Sequence, residues 1–373
     1  MRPGARQKSP AAMALSAFWD GLTGTSRAGF LAMVVGAALA FGVYVWFFSY
    51  ATVTGPMGRY LLNYSDDLEA YATMRSLRLG VDPSHDPLLM ILGTSFSASA
   101  FGSDEFVSDK LDALTSTHWR VANMATASQS PLDAIALIDH ALESNIGEPV
   151  VVLLGVDAVT GGWTTEELMQ YYDAPRIGVR SPWVDAEVER LGHAPLPRSS
   201  IYFLDNWNFS ALRAPRLFVR LFLKGPYEDV YFNRSTRQHE EPLPIDARNE
   251  PLIAGEIRAV AAEDPQSNLD MYRMLADHLS QLPAARLILM QEVPEAGFLE
   301  RHDLGGLIAE QTRAYQAFAE EIGASFWAPT AEPSFPREAF YDAYHIGDAP
   351  TREALRDDLA AFVAQVYEDM ADG

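Results

Sequence analysis

Hydrophobic and polar positions divide the chain into regions of different period. From Ala28 to Tyr50 the sequence AGFLAMVVGAALAFGVYVWFFSY runs for 23 residues without a charge. About 20 apolar residues span the hydrocarbon core of a bilayer, and Tyr44, Trp46 and Tyr50 gather at the C-terminal end of the stretch as interfacial aromatics do. A cleavable signal peptide has a shorter apolar region, about 7–15 residues, followed by a small-x-small site. No clean site of that kind follows here, so residues 28–50 read as a transmembrane signal anchor. Residues 51–86 read as a helical connector, with apolar residues at helix-like spacing in LLNYSDDLEAYATMRSLRLG.

Pro83 and Pro87 then punctuate the chain and the pattern changes. Three short apolar runs, Pro87–Leu92, Trp119–Met124 and Pro149–Val156, alternate with amphipathic stretches at Ser103–Leu114 and Pro131–Glu143. The third run is apolar throughout, as a strand covered on both faces must be. Residues 160–250 are rich in Trp, Tyr, Pro and Arg with no clean period, and the alternation resumes only with a helix from about Asn268 to Leu282. It continues through a strand at Arg286–Met290, a helix from about Asp303 to Ile322, a short strand at Ala324–Trp327 and a last helix, Pro350–Met370, whose start Thr351 is placed to cap. No internal repeat or low-complexity segment is present. Alternation of this kind predicts an α/β fold with a parallel sheet and right-handed crossovers. It occupies residues 87–373, carries an insertion at about 160–267 and is preceded by one N-terminal transmembrane helix.

Charge adds an orientation. Acidic residues outnumber basic ones by 50 to 28, for a net charge of −22. Arg2, Arg6, Lys8 and Arg27 against Asp20 give residues 1–50 a charge of +3, which leaves −25 for the rest. Basic flanks stay on the cytoplasmic side, so residues 1–27 are expected inside and everything after about 51 outside. A surface this acidic repels phosphate backbones and argues against a nucleic-acid partner. The chain has no cysteine, which excludes disulfides, thiolate metal sites and a cysteine nucleophile. No histidine pair has metal-ligand spacing such as His-Glu-x-x-His, so neither a metal nor a cofactor is inferred.

Open parallel sheets carry their sites beyond the carboxyl ends of the strands. Three such ends hold Gly93-Thr94-Ser95, Asn123-Met124-Ala125 and Gly155-Val156-Asp157, and Asp342-Ala343-Tyr344-His345 comes just before the terminal helix. Ser95 at a strand-to-helix turn has two roles open to it, helix cap or nucleophile. Asp342 and His345, three apart at a helix start, can point the same way, His345 as general base and Asp342 fixing its tautomer. One further stretch stands out. Phe209–Lys224 is the only basic apolar block in an acidic domain, with Arg213, Arg216, Arg220 and Lys224 among large apolar residues. It reads either as a core helix with a basic edge or as an interfacial helix against anionic lipid or a membrane partner.

In order and strand context these blocks resemble the SGNH (GDSL-type) hydrolase superfamily, over roughly residues 87–160 and 285–370. Gly93-Thr94-Ser95 resembles the first block, with Thr94 where an Asp is usual. Asn123-Met124-Ala125 stands at the second, with Ala125 in place of the glycine that donates an oxyanion N–H. Gly155-Val156-Asp157 stands at the third, where an Asn normally follows Gly-x, and Asp342-x-x-His345 matches the last in full. The resemblance implies a flavodoxin-like three-layer α/β/α sheet and a Ser95–His345–Asp342 triad, with Ala125, Asn123 and Asp157 near the oxyanion. A carboxylate at 157 donates no hydrogen bond, and losing one oxyanion donor costs about 2.7–4 kcal/mol. Together with the anchor, the chain is similar to membrane-anchored envelope acyltransferases, such as the D-alanyl transfer protein and polysaccharide O-acetylation proteins. That similarity implies a single-pass inner-membrane protein with its domain in the periplasm or outside. It implies an acyl (acetyl or similar) ester of an envelope glycan as substrate and a membrane O-acyltransferase as possible partner. A noncatalytic glycan-binding or scaffold subunit is the alternative. Acetylation proteins also use an acid-x-His-Trp sequence. Here Ser116 holds the acid's place before His118-Trp119, ahead of a strand, so His118 is expected to be structural.

Overall fold

The computed structural model describes residues 27–47, 49–54, 68–81, 84–143, 148–156, 163–211, 250–262, 266–329, 337–340 and 345–372. Two compact units divide between Ser49 and Tyr50. In the first, helix α1 (Arg27–Phe47) is apolar around its whole circumference, and Leu31, Leu39 and Trp46 stand exposed. A helix without a polar face needs an apolar surround, and its length and composition fit a single transmembrane anchor. The sequence reading carried the span on to Tyr50. Tyr50 instead opens a second short helix, α2 (Tyr50–Thr54), and its ring lies 5.9 Å from that of His140 in the second unit.

The second unit is a five-stranded parallel sheet. After α3 (Leu68–Leu79) come β1 (Leu88–Leu92), α4 (Ser95–Phe101), α5 (Glu105–Thr115), β2 (Arg120–Asn123), α6 (Pro131–Leu142) and β3 (Val150–Val156). Further along are β4 (Ala285–Gln291) and β5 (Ser325–Trp327), and the spatial order is β2-β1-β3-β4-β5. Burial on both faces explains the uniform apolar runs, because neighbouring residues must each meet a helix layer. Leu89, Ile91, Val121, Val151, Leu153, Ile288 and Met290 form one cluster with α4, α5 and the terminal helix α14 (Ala349–Asp372). The alternate residues turn to the opposite face, towards α3, α6 and the helix Gln266–Ser280, which pack on one another. Each fully buried Leu or Ile contributes about 1.5–3 kcal/mol, so the two layers rather than local propensity hold the strands.

Several elements depart from the expected boundaries. Helix α4 was not foreseen: Thr94 caps it by accepting from the Phe96 N–H (3.3 Å), and Gly102 ends it at φ +65°. The stretch read as an aperiodic insertion contains α7 (Thr165–Asp173), α8 (Pro182–Arg190) and α9 (Tyr202–Asp205), followed by α10 (Glu250–Ala262) and α11 (Gln266–Ser280). Thr164 and Glu167 form a capping box on α7, and Ser181 caps α8 with Pro182 at its first position. Helix α12 (Ala296–Arg301), also unforeseen, packs through Phe298 and Leu299 on α10 and on α13 (Gly305–Glu321). The start of α14 is capped by Asp348, whose carboxylate accepts from the Thr351 N–H (2.8 Å) and hydroxyl (2.7 Å). Thr351 is therefore the capped residue, not the cap.

Candidate active site

The strand order reverses direction between β1 and β3, and in such sheets ligands bind beyond the carboxyl ends at that switch. Leu88–Leu92 lie in register with Val150–Leu154, which brings Gly93 beside Gly155. Gly93 has φ +137°, and a Cβ there would fall 2.6 Å from Glu292 Oε1, 2.8 Å from Ser97 Oγ and 3.0 Å from Gly155 Cα. Only glycine fits such a position. The turn is also stitched to the loop after β2: the Gly93 N–H donates to Gln129 Oε1 (2.8 Å), and its carbonyl accepts from the Thr126 N–H (3.1 Å).

Ser95 is the first residue of α4. From Pro87 to Gly102 every residue is buried except this one. Its neighbours turn inward: the Thr94 and Ser97 hydroxyls both donate to the carboxylate of Glu292, and the Thr94 N–H donates to Glu292 Oε1 at 3.0 Å. Capping is done by Thr94, so of the two roles open to Ser95 the structural one is already filled. The Ser95 hydroxyl and N–H make no hydrogen bond among the described residues.

His345 precedes α14. Tyr367, near the far end of that helix, packs edge-on against Trp119 (centroids 5.1 Å apart), just before β2 begins. The head of α14 therefore lies at the carboxyl edge of the sheet, and α14 packs on α4 there. Ile346 pairs with Phe340 in an antiparallel bridge, and the Gly347 N–H donates to the Ala339 carbonyl (2.8 Å), which fixes the backbone around the half-buried His345.

Asn123 and Ala125 serve the interior. The Asn123 side chain donates to the Gly102 carbonyl (2.9 Å), and its N–H donates to Asp104 Oδ1 (2.8 Å). Burial pushes the Asp104 carboxyl up against the pull of Arg75, which sits 2.9 Å away. The Ala125 N–H, expected at the oxyanion, donates to Asn123 Oδ1 (3.3 Å), and the Ala125 side chain packs with Leu68 and Ala98. The Ala125 N–H thus has a side chain two residues back as its partner. Asp157, Asp342, Arg213, Arg216, Arg220 and Lys224 lie outside the described residues. His118 is exposed at the amino edge, bonded to Asp112 Oδ2 (2.9 Å), which holds its imidazole above the ordinary histidine value.

Glu292 escaped the sequence reading. It follows β4 directly and is 3% exposed, and its only sequence signal was an acidic residue closing an apolar strand on the carboxyl side.

No protein-family model and no curated protein matches the chain. Among solved structures it is similar to a gut microbial diltiazem-metabolizing enzyme at 10% identity and a TM-score of 0.36, over 76% of this chain and 48% of that one. It is also similar to an acetyl xylan esterase from the rumen bacterium Butyrivibrio proteoclasticus at 9% identity and a TM-score of 0.29, over 77% of this chain and 65% of that one. The chain thus spans about half the length of the first and just under two thirds of the second.

Proposed function

We propose that the chain is a membrane-anchored, extracytoplasmic SGNH-like serine acyltransferase or esterase acting on an acyl ester of an envelope glycan. One observation carries the reading: Ser95 alone opens outward from an otherwise buried strand-turn-helix at the β1/β3 switch, with its hydroxyl unengaged among the described residues. His345 takes the proton from Ser95 Oγ as the oxygen attacks the acyl carbonyl, and Asp342 steadies the imidazolium. The ester C–O bond breaks, the departing oxygen receives that proton, and acyl-Ser95 remains. An acceptor hydroxyl, or water, then attacks the acyl-enzyme with His345 again as base, which restores Ser95.

With the Ala125 N–H turned to Asn123, the Ser95 N–H is the oxyanion donor this reading retains among the described residues. One missing donor slows such chemistry by about 10²–10³. Activated esters should therefore acylate Ser95 readily and release the acyl group slowly to water. With p-nitrophenyl acetate the expected result is a burst of p-nitrophenol followed by a slow steady state, accelerated by an added glycan acceptor. Ser95→Ala should abolish the burst. A folded wild-type chain that gives no burst, with cellular activity untouched by Ser95→Ala, would replace the enzyme by the noncatalytic scaffold.

A further inference from the structure

We infer that Glu292 is the positioning residue of this site: it holds the Thr94 N–H and the Thr94 and Ser97 hydroxyls on either side of Ser95 inward and leaves the Ser95 hydroxyl to the outer side. The inference rests on the reading of Ser95 as nucleophile. Three donors from the turn converge on this buried carboxylate: the Thr94 N–H, the Thr94 hydroxyl and the Ser97 hydroxyl. A carboxylate only accepts, with about four lone-pair sites on two oxygens, so it can satisfy all three at once. Without it, a backbone N–H and two hydroxyls of a buried turn would need other partners.

The carboxylate also accounts for both strand-end glycines. A Cβ on Gly93 would lie 2.6 Å from Glu292 Oε1, and one on Gly155 would overlap the same oxygen and lie 2.9 Å from Ser97 Oγ. Gly93 and Gly155 thus form the floor on which the carboxylate just after β4 rests. The Glu292 N–H donates to the Val156 carbonyl (2.9 Å), so the residue is fixed to β3 through its backbone and to the turn after β1 through its side chain. Thr94, held at its N–H and its hydroxyl, fixes the peptide that leads into Ser95. The direction of the Ser95 hydroxyl and N–H follows from that grip.

The test uses the full chain in nanodiscs with p-nitrophenyl acetate as probe, following the burst by stopped flow and acyl-Ser95 by intact mass. In Glu292→Gln, confirmed folded by circular dichroism, the maximal acylation rate should fall about 10–100-fold, because a small misplacement of a nucleophile costs that much. The half-saturating ester concentration should stay within about twofold, since the lost interaction acts on the reacting geometry and not on ester binding. Gly155→Ala should reproduce the loss by displacing the carboxylate, and the two losses should not multiply in the double variant. A folded Glu292→Gln chain that acylates at the wild-type rate, while Ser95→Ala forms no adduct, overturns this inference and leaves the nucleophile reading standing. Equal bursts from wild type and Ser95→Ala overturn both. Should Glu292→Gln not fold, Ser97→Ala removes one donor with little loss of packing. It should slow acylation at least about threefold, and a wild-type rate there overturns the inference.

Discussion

Arg176 offers a quantitative test of how the helical insertion is fastened to the sheet domain. Its guanidinium pairs with Glu69 of α3 and donates to the Ser128 carbonyl (3.1 Å), and it acts electrostatically on the buried Asp133 of α6. Burial pushes the Asp133 carboxyl up to about 6 from its ordinary 3.8, while Arg176 and Ser130 pull it down. A carboxyl with a raised folded value binds its proton more tightly when folded. Its contribution is most favourable below about pH 4 and is lost as pH rises through 6. By pH 8 the difference of about two pKa units amounts to roughly 3 kcal/mol against folding. Arg176→Gln strips the cation from both carboxylates. Breaking a buried pair costs about 3–5 kcal/mol; with Arg176 a quarter exposed, about 2–3 kcal/mol is expected at pH 8. At pH 5 Asp133 already carries its proton, and the loss should shrink to about 1–2 kcal/mol. Urea unfolding of a fragment beginning at Tyr50, followed by tryptophan fluorescence for wild type and variant at both pH values, measures the difference. Equal losses at pH 5 and pH 8, or none at either, would refute the assignment.

Other outcomes follow from separate parts of the chain. Thr164→Ala should cost about 1 kcal/mol by removing the capping box of α7, and an unchanged urea midpoint would show that α7 is held by packing alone. A reporter fused after Gly373 should be active only outside the cytoplasm, because +3 precedes the span and −25 follows it; activity confined to the cytoplasm reverses the topology. If Phe209–Lys224 meets lipid, the fragment from Tyr50 should bind anionic vesicles in a salt-sensitive way. Replacing Arg213, Arg216, Arg220 and Lys224 by Gln should then abolish binding, whereas unchanged binding assigns the contact to another surface.

The strands were legible because Leu88–Leu92, Val150–Val156 and Leu287–Met290 are uniformly apolar, a pattern that demands cover on both faces. Helix α4 was not, because SFSASAF buries six of its seven residues and has no polar face from which to read a period. Inside the insertion the starting signals were present in the sequence, Thr164 with Glu167 and Ser181 before Pro182. Nine-residue helices among Trp, Tyr and Pro are nonetheless too short for amphipathic spacing to stand out. At the site, Ser95 could be found because a glycine turn after a strand is a local signal. Glu292 could not, since it meets Thr94 across 198 residues and only the adjacency of β1, β3 and β4 brings them together. The partner of the Ala125 N–H was not legible either, because a backbone position says nothing of the Asn123 side chain that folds back onto it.

The central claim is that Ser95 is a nucleophile held open at the β1/β3 switch, and covalent labelling tests it most directly. The full chain in nanodiscs would be treated with a fluorophosphonate, digested, and mapped by fragment-ion mass spectrometry. The account predicts one stoichiometric adduct on Ser95, none on the buried Ser97 or Ser99 a few residues away. Ser95→Ala should give no adduct, and His345→Ala should label far more slowly. An adduct that persists in Ser95→Ala, or a folded wild-type chain that takes no label at Ser95, would contradict it.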